Sequence, residues 1–248
     1  MNYGKTAVVV CKDDRELGER AASDVAHKMR GLLSERDVIR VVFSAAESQV
    51  TFLDALAKEQ GIDWGQVVCL NVDDLHDVRM PEACTCGYLT RTHLYDKIGP
   101  LRVHLIRHDA PDPEAEAKRF EAVLREEGPI DIICQGIGTS GHLALNEPGI
   151  TNFDDERWVR VVGIAEQSKQ QLLEDPHFMQ LGYIPEIGIT MTIPALRSAR
   201  HRFTMVPYEN KRSIIKKLFE QKTPTAELPA SILLELDGTL YLERASCP

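Results

Sequence analysis

Short β-branched runs alternate with segments of helical periodicity along this chain, and that alternation leaves few folds open. Thr6–Cys11 reads as a strand. From Asp13 to about Leu33, apolar residues recur at helical spacing as Leu17, Ala21, Val25, Met29 and Leu32. Val38–Phe43 and Gln66–Val72 follow as strands, with a helix expected over Gln49–Glu59 between them. An irregular stretch with Pro81, Gly87, Gly99 and Pro100 leads to a strand at Val103–Ile106. Asp112-Pro113-Glu114 carries a helix start signal, an N-cap acid before proline, and predicts a helix to about Glu127. Further strands are expected at Ile130–Gln135, Val159–Val162, Gly188–Ile193, Arg202–Val206 and Thr239–Leu242. Helices are expected at Glu166–Asp175, Asn210–Glu220 and Pro229–Leu234. Such alternation predicts an α/β fold: a doubly wound, mostly parallel sheet with helices on both faces, over residues 1–248 as one domain. Ligands of such sheets bind beyond the carboxyl ends of the strands.

The segment after Ile130–Gln135 is the richest in chemistry. It runs Gly136-Ile-Gly138-Thr-Ser140-Gly141-His142-Leu-Ala-Leu-Asn146-Glu147-Pro148. Its three glycines permit positive φ and close backbone approach. They deliver a histidine, which titrates near neutral pH, five residues before a carboxylate able to orient it. A plain glycine-rich turn, with His142 capping the next element, is the competing reading. Asp73-Asp74 follows another apolar strand. Neighbouring strand side chains point to opposite faces, so the two acids are expected to do different things: one faces a cleft, the other solvent or a backbone amide.

Composition excludes several classes. A net charge of −9 argues against general nucleic-acid binding. No run of about 18 apolar residues suggests a membrane span, and the charged Lys12–Glu16 segment does not read as part of a signal peptide. Of the six cysteines, Cys11, Cys69 and Cys134 sit in apolar runs as expected core thiols. Cys84-Thr-Cys86 lies near His76 and His93 but lacks the spacing and the second cluster of usual zinc sites. A reduced, cytoplasmic chain without a metal is the simpler expectation.

The Gly136–Pro148 run resembles the signature of the glucosamine-6-phosphate deaminase/isomerase family, relatives of 6-phosphogluconolactonase. Leu70-Asn-Val-Asp73-Asp74 resembles that family's catalytic-aspartate segment, and Phe43–Leu56 lies where the family has its phosphate loop. Thr190–Pro194, Val206–Lys211 and Pro229–Leu242 are similar to its C-terminal segments, in the same order. The resemblance implies a phosphosugar substrate and no cofactor, because the enediol route is acid–base chemistry. It implies Asp73 as the group moving a proton between C2 and C1, with His142 and Glu147 opening the sugar ring. It places the phosphate against Ala45, Ala46, Ser48, Gly138 and Lys211, and aligns a further family arginine loosely near Lys169. Family members range from monomers to hexamers, which leaves self-association open.

Two departures stand out. Ser140 occupies the position of a third family acid, so a hydroxyl replaces a negative charge beside the histidine. Ala45-Ala46-Glu47-Ser48 replaces a glycine-containing loop, and Glu47 would repel a phosphate unless it points outward. The rival readings are a phosphosugar lactonase, with His142 activating water, and a phosphosugar-binding protein with little turnover. The Asn146-Glu147-Pro148 continuation favours the deaminase branch over the lactonase branch.

Overall fold

The strand–helix alternation builds two sheets, not one. The computed structural model describes residues 1–126, 128–173 and 176–248. Its strands are β1 (Asn2–Tyr3), β2 (Thr6–Cys11), β3 (Ile39–Phe43), β4 (Val67–Asn71), β5 (Asp73–His76), β6 (Arg102–His104), β7 (Ile132–Gln135), β8 (Val159–Gly163), β9 (Ile187–Met191), β10 (His201–Val206) and β11 (Gly238–Glu243). Its helices are α1 (Asp14–Leu33), α2 (Val50–Leu56), α3 (Cys86–Thr90), α4 (Asp96–Ile98), α5 (Pro113–Glu126), α6 (Glu166–Leu172), α7 (Pro176–Leu181), α8 (Ile193–Arg197) and α9 (Arg212–Glu220). The expected ends of two helices, Glu127 and Asp175, lie outside the described residues.

Among the described residues, the main sheet has eight strands in the order β1-β2-β11-β10-β7-β3-β4-β6. Every pairing in it is parallel except that of the short β1 with β2. Side chains alternate across the sheet, so each strand feeds two cores. Val41 and Phe43 face α1 and α2, packing with Leu17, Met29, Phe52 and Leu53. Val42 faces the opposite side, in the core that holds Phe120 and Leu124 of α5, Leu196 of α8 and Ile215 of α9. The doubly wound expectation is met. Cys11, Cys69 and Cys134 are free, buried thiols in the α1 and α2 core and the strands beneath it.

The second sheet, β5-β9-β8, is antiparallel. Period-two patterning marks strands but not their partners, which is why β8 and β9 read like further members of the parallel sheet. Val72 is the junction: its amide donates to Phe43 O at 3.0 Å, and its carbonyl accepts from Met191 N at 2.9 Å. The chain thus leaves the main sheet at Asn71 and enters the small one at Asp73.

Several boundaries shift for identifiable reasons. The helix expected over Gln49–Glu59 is a 3₁₀ turn at Glu47–Gln49 followed by α2. Beyond Leu56 the chain tightens into i→i+3 bonds, Lys58 N to Ala55 O and Glu59 N to Leu56 O, both 3.1 Å. Ile193 begins α8 and does not extend β9. Lys211 ends a 3₁₀ turn, Glu209–Lys211, ahead of α9 and is not inside that helix's first turn. The stretch after His76 is largely helical, with α3, a π-turn at Arg91–Tyr95 and α4 in succession.

At the start of α5, Asp112 Oδ1 accepts from Glu114 N at 2.9 Å and Ala115 N at 3.1 Å, the N-cap foreseen from sequence. Asp112→Ala removes that cap and is expected to cost about 1 kcal/mol. The urea midpoint should fall with an unchanged m-value.

Candidate active site

Four adjacent strands of the main sheet, β10, β7, β3 and β4, send their carboxyl ends to one edge. After β3 comes the turn with Ala45, Ala46 and Ser48, and after β4 comes Asp73. After β7 comes the histidine loop, and after β10 the turn with Lys211.

The histidine loop is fixed from several sides. Asn146 Nδ2 donates to Leu143 O and to Met191 O, both at 2.8 Å, tying the loop to β9. Leu145 N donates to Thr190 Oγ1 at 3.1 Å. Gly141, at φ +88°, makes the tight turn, its amide bonded to Gly138 O at 3.0 Å. Gly138 is required by close approach: a Cβ there would lie 1.9 Å from His142 Nε2. The absence of a side chain at Gly138 thus makes room for the imidazole ring.

His142 Nδ1 lies 2.7 Å from Glu147 Oε1. Ser140 Oγ donates to Glu147 Oε2 at 2.5 Å and sits 2.9 Å from His142 Nδ1. Ser140 has one proton and places it on the carboxylate, so toward the ring it accepts. Nδ1 is therefore the protonated nitrogen, which leaves Nε2 as the working atom in neutral imidazole. Ser168 Oγ of α6 also donates to Glu147 Oε1, a partner that sequence reading missed because the two lie 21 residues apart. Burial alone would raise the Glu147 carboxyl. The hydrogen bond and charge of His142, with the hydroxyls of Ser140 and Ser168, overcome it and hold the pKa at about 2.

Asp73 and Asp74 divide as alternation requires. Asp74 is 2% exposed and accepts from the amides of Cys86 and Gly87, both at 3.0 Å, so it takes the backbone-amide role and not the solvent one. Asp73 turns the other way. Burial pushes its carboxyl up to about 6, opposed by the charge of His142 and by a hydrogen bond from Cys86. Behind them, Asn71 Oδ1 accepts from Tyr95 OH at 2.8 Å and its Nδ2 donates to Thr90 Oγ1 at 3.1 Å. That buried network anchors the end of β4 to α3 and the π-turn.

The β3 and β10 turns meet. Gln49 Nε2 reaches Ser48 Oγ at 3.2 Å and Met205 O at 3.3 Å, and Tyr208 OH lies 3.5 Å from Glu47 O. Tyr208 has φ 74°, unusual for a residue with a Cβ, and its amide is held by Glu243 Oε2 at 2.7 Å. Lys211 is 6% exposed, and burial pushes its ammonium down to about 8. Ala46 and Glu47 are exposed. Lys169 is engaged by Glu166 at 3.2 Å and by Glu186. The residues weighed for zinc diverge: His76 Nε2 pairs with Ala110 O, His93 Nδ1 with Asp54, and Cys86 faces Asp73. Among the described residues, no helix is long and apolar enough to cross a membrane.

A buried aspartate, a histidine–carboxylate pair and a sequestered lysine thus follow neighbouring strand ends on one edge of the main sheet. Residues 12–242 match the family of glucosamine-6-phosphate isomerases/6-phosphogluconolactonase, and the chain belongs to that family. It is 30% identical over 190 residues to a glucosamine-6-phosphate deaminase of Exiguobacterium sp., covering 76% of this chain and 72% of that one. Its fold matches a monomeric glucosamine-6-phosphate deaminase with a TM-score of 0.86 at 22% identity, over 97% of this chain and 98% of the other. A 6-phosphogluconolactonase from Thermotoga maritima matches with a TM-score of 0.76 at 17% identity, over 96% and 99% of the two chains. The chain thus has the superfamily's α/β fold and belongs to an enzyme superfamily of carbohydrate metabolism.

Gly138→Ala should displace the His142 ring while leaving the fold intact, because an imidazole can swing away from the new methyl. Imidazole ¹⁵N shifts should report loss of the Glu147 bond, with the melting temperature nearly unchanged. Glu147 has a lowered folded pKa, so its contribution to stability is fully present above the unfolded value of about 4.3 and is lost as pH falls toward about 2. Urea titrations from pH 7 to pH 2 should show that acid-dependent loss reduced in Glu147→Gln.

Proposed function

We propose that the protein is an amino-sugar phosphate deaminase/isomerase that converts glucosamine-6-phosphate or galactosamine-6-phosphate to the ketose phosphate and ammonia. The observation carrying this reading is the 2.7 Å His142–Glu147 pair on the same sheet edge as a buried Asp73.

His142 Nε2 carries the proton between the anomeric hydroxyl and the ring oxygen, opening the sugar. Glu147 stabilises the imidazolium formed on the way, and Ser140 keeps the carboxylate aligned. The Asp73 carboxylate then removes the C2 proton of the open-chain aldose and returns it to C1, while an amine proton passes to O1. The resulting C2 imine adds water and expels ammonia. A carboxylate with a pKa near 6 is a stronger base than an exposed one and is still mostly ionised at neutral pH. Lys211 and Ser48 hold the phosphate, assisted by the backbone of Ala45 and Ala46. An ammonium that burial has deprived of water gains strongly from an anion, which supports this placement. No step calls for a cofactor.

Ammonia and ketose should appear together from one of the two amino-sugar phosphates. Asp73→Asn should lower turnover by about 10²–10⁴-fold without unfolding the protein. As Asp73 protonates, kcat/KM should fall about tenfold per pH unit below pH 6. Rapid opening of 6-phosphogluconolactone with no ammonia would move the protein to the lactonase branch. Phosphosugar binding without turnover of either substrate would mark a binding protein.

A further inference from the structure

Cys86 opens α3 and touches three groups at the site. Its Sγ donates toward Asp73 Oδ1 at 3.8 Å and lies 3.6 Å from Ala45 O. Its amide donates to Asp74 Oδ1 at 3.0 Å. One residue therefore engages both neighbouring carboxylates and also the turn after β3. Asp74 fixes where Cys86 stands, because its second oxygen holds Gly87 N at 3.0 Å. Thr85 Oγ1 caps the same turn by accepting from Tyr88 N at 2.9 Å.

We propose that Cys86 is a positioning residue for Asp73, its thiol donating to one carboxylate oxygen and so setting both the direction and the proton affinity of the base. Ala45 O is the competing acceptor for the single S–H proton, which links the β3 turn to the same contact. The thiol is suited to a donor's role and not to a nucleophile's: burial and the charges of Asp74 and Asp73 push its own pKa well above the usual value. The titratable groups facing Asp73 are His142 from the histidine loop and Cys86 from α3, while Asp74, its neighbour on the strand, points to the opposite face and is coupled to it through charge. Of these, Cys86 is the one that can be changed without touching the ring-opening pair or the sheet.

The kinetic part of this inference rests on the deaminase reading, and the structural part does not. The primary test is therefore a ¹³C carboxyl NMR titration of Asp73 in the ligand-free protein, with Asp73→Asn identifying the resonance. Losing a donor to the ionised form should raise the Asp73 midpoint by about half a pH unit in Cys86→Ala. Cys86→Ser, which keeps a donor, should titrate near the native value. In the kinetics, the acid limb of kcat/KM should shift in the same direction in Cys86→Ala, with KM within about twofold of native. An unchanged or lowered midpoint in Cys86→Ala would overturn the proposal. So would an equal shift in Cys86→Ser, which would mark a purely steric role. If the native protein releases no ammonia, the deaminase reading fails, and the titration still decides the role of Cys86.

Discussion

The peptide groups of Val72 hold the molecule's two sheets together. The amide completes the parallel ladder against β3, and the carbonyl opens an antiparallel contact with β9. Both groups are obligatory hydrogen-bonding partners in a buried setting, so neither sheet can shift without leaving one unpaired. Asp73 is the next residue. Its position is inherited from both sheets, and Thr190 and Met191 of β9 extend the same constraint to the histidine loop through Leu145 and Asn146. An aspartate at the sheet junction and a histidine on a loop pinned to the neighbouring strand are thereby held in one framework.

Burial acts on three ionisable groups here with three outcomes. Asp73 has few hydrogen-bond donors and is pushed up; Glu147 has several and is pulled down despite its burial. Lys211 has only desolvation acting on it and is pushed down. In a chain of net charge −9, the global field repels a phosphosugar, so attraction must come from local groups. On the proposed reading, Lys211, screened from water at the end of a 3₁₀ turn, is such a group.

Much of this was legible in the sequence. The strand–helix alternation gave the main sheet, and the glycines of the histidine loop marked a close backbone approach, which at Gly138 is to the His142 ring. Opposite-face logic separated Asp73 from Asp74, and the N-cap at Asp112 was readable from three residues. What was not legible depends on partners distant in sequence. Membership of the second sheet is a matter of pairing, which periodicity does not encode. Ser168 reaches Glu147 from α6, and Asn71, Thr90 and Tyr95 assemble across a stretch whose prolines and glycines suggested irregular chain. Ser140 read as a lost charge whose hydroxyl could still bond the imidazole; the geometry adds a hydrogen bond to Glu147.

Tyr208 has one consequence for recognition. A non-glycine residue at φ 74° stores roughly 1–3 kcal/mol of strain, and Glu243 at the end of β11 holds it there. Relaxing that dihedral would loosen the turn that follows, in which Lys211 N donates to Tyr208 O at 3.1 Å. The backbone that carries Lys211 is thus set in advance, like the fixed jaw of a vice. On the proposed reading, an anion arriving at Lys211 meets a turn that is already ordered and forfeits little entropy there, so discrimination at this end falls to the fit of the anion.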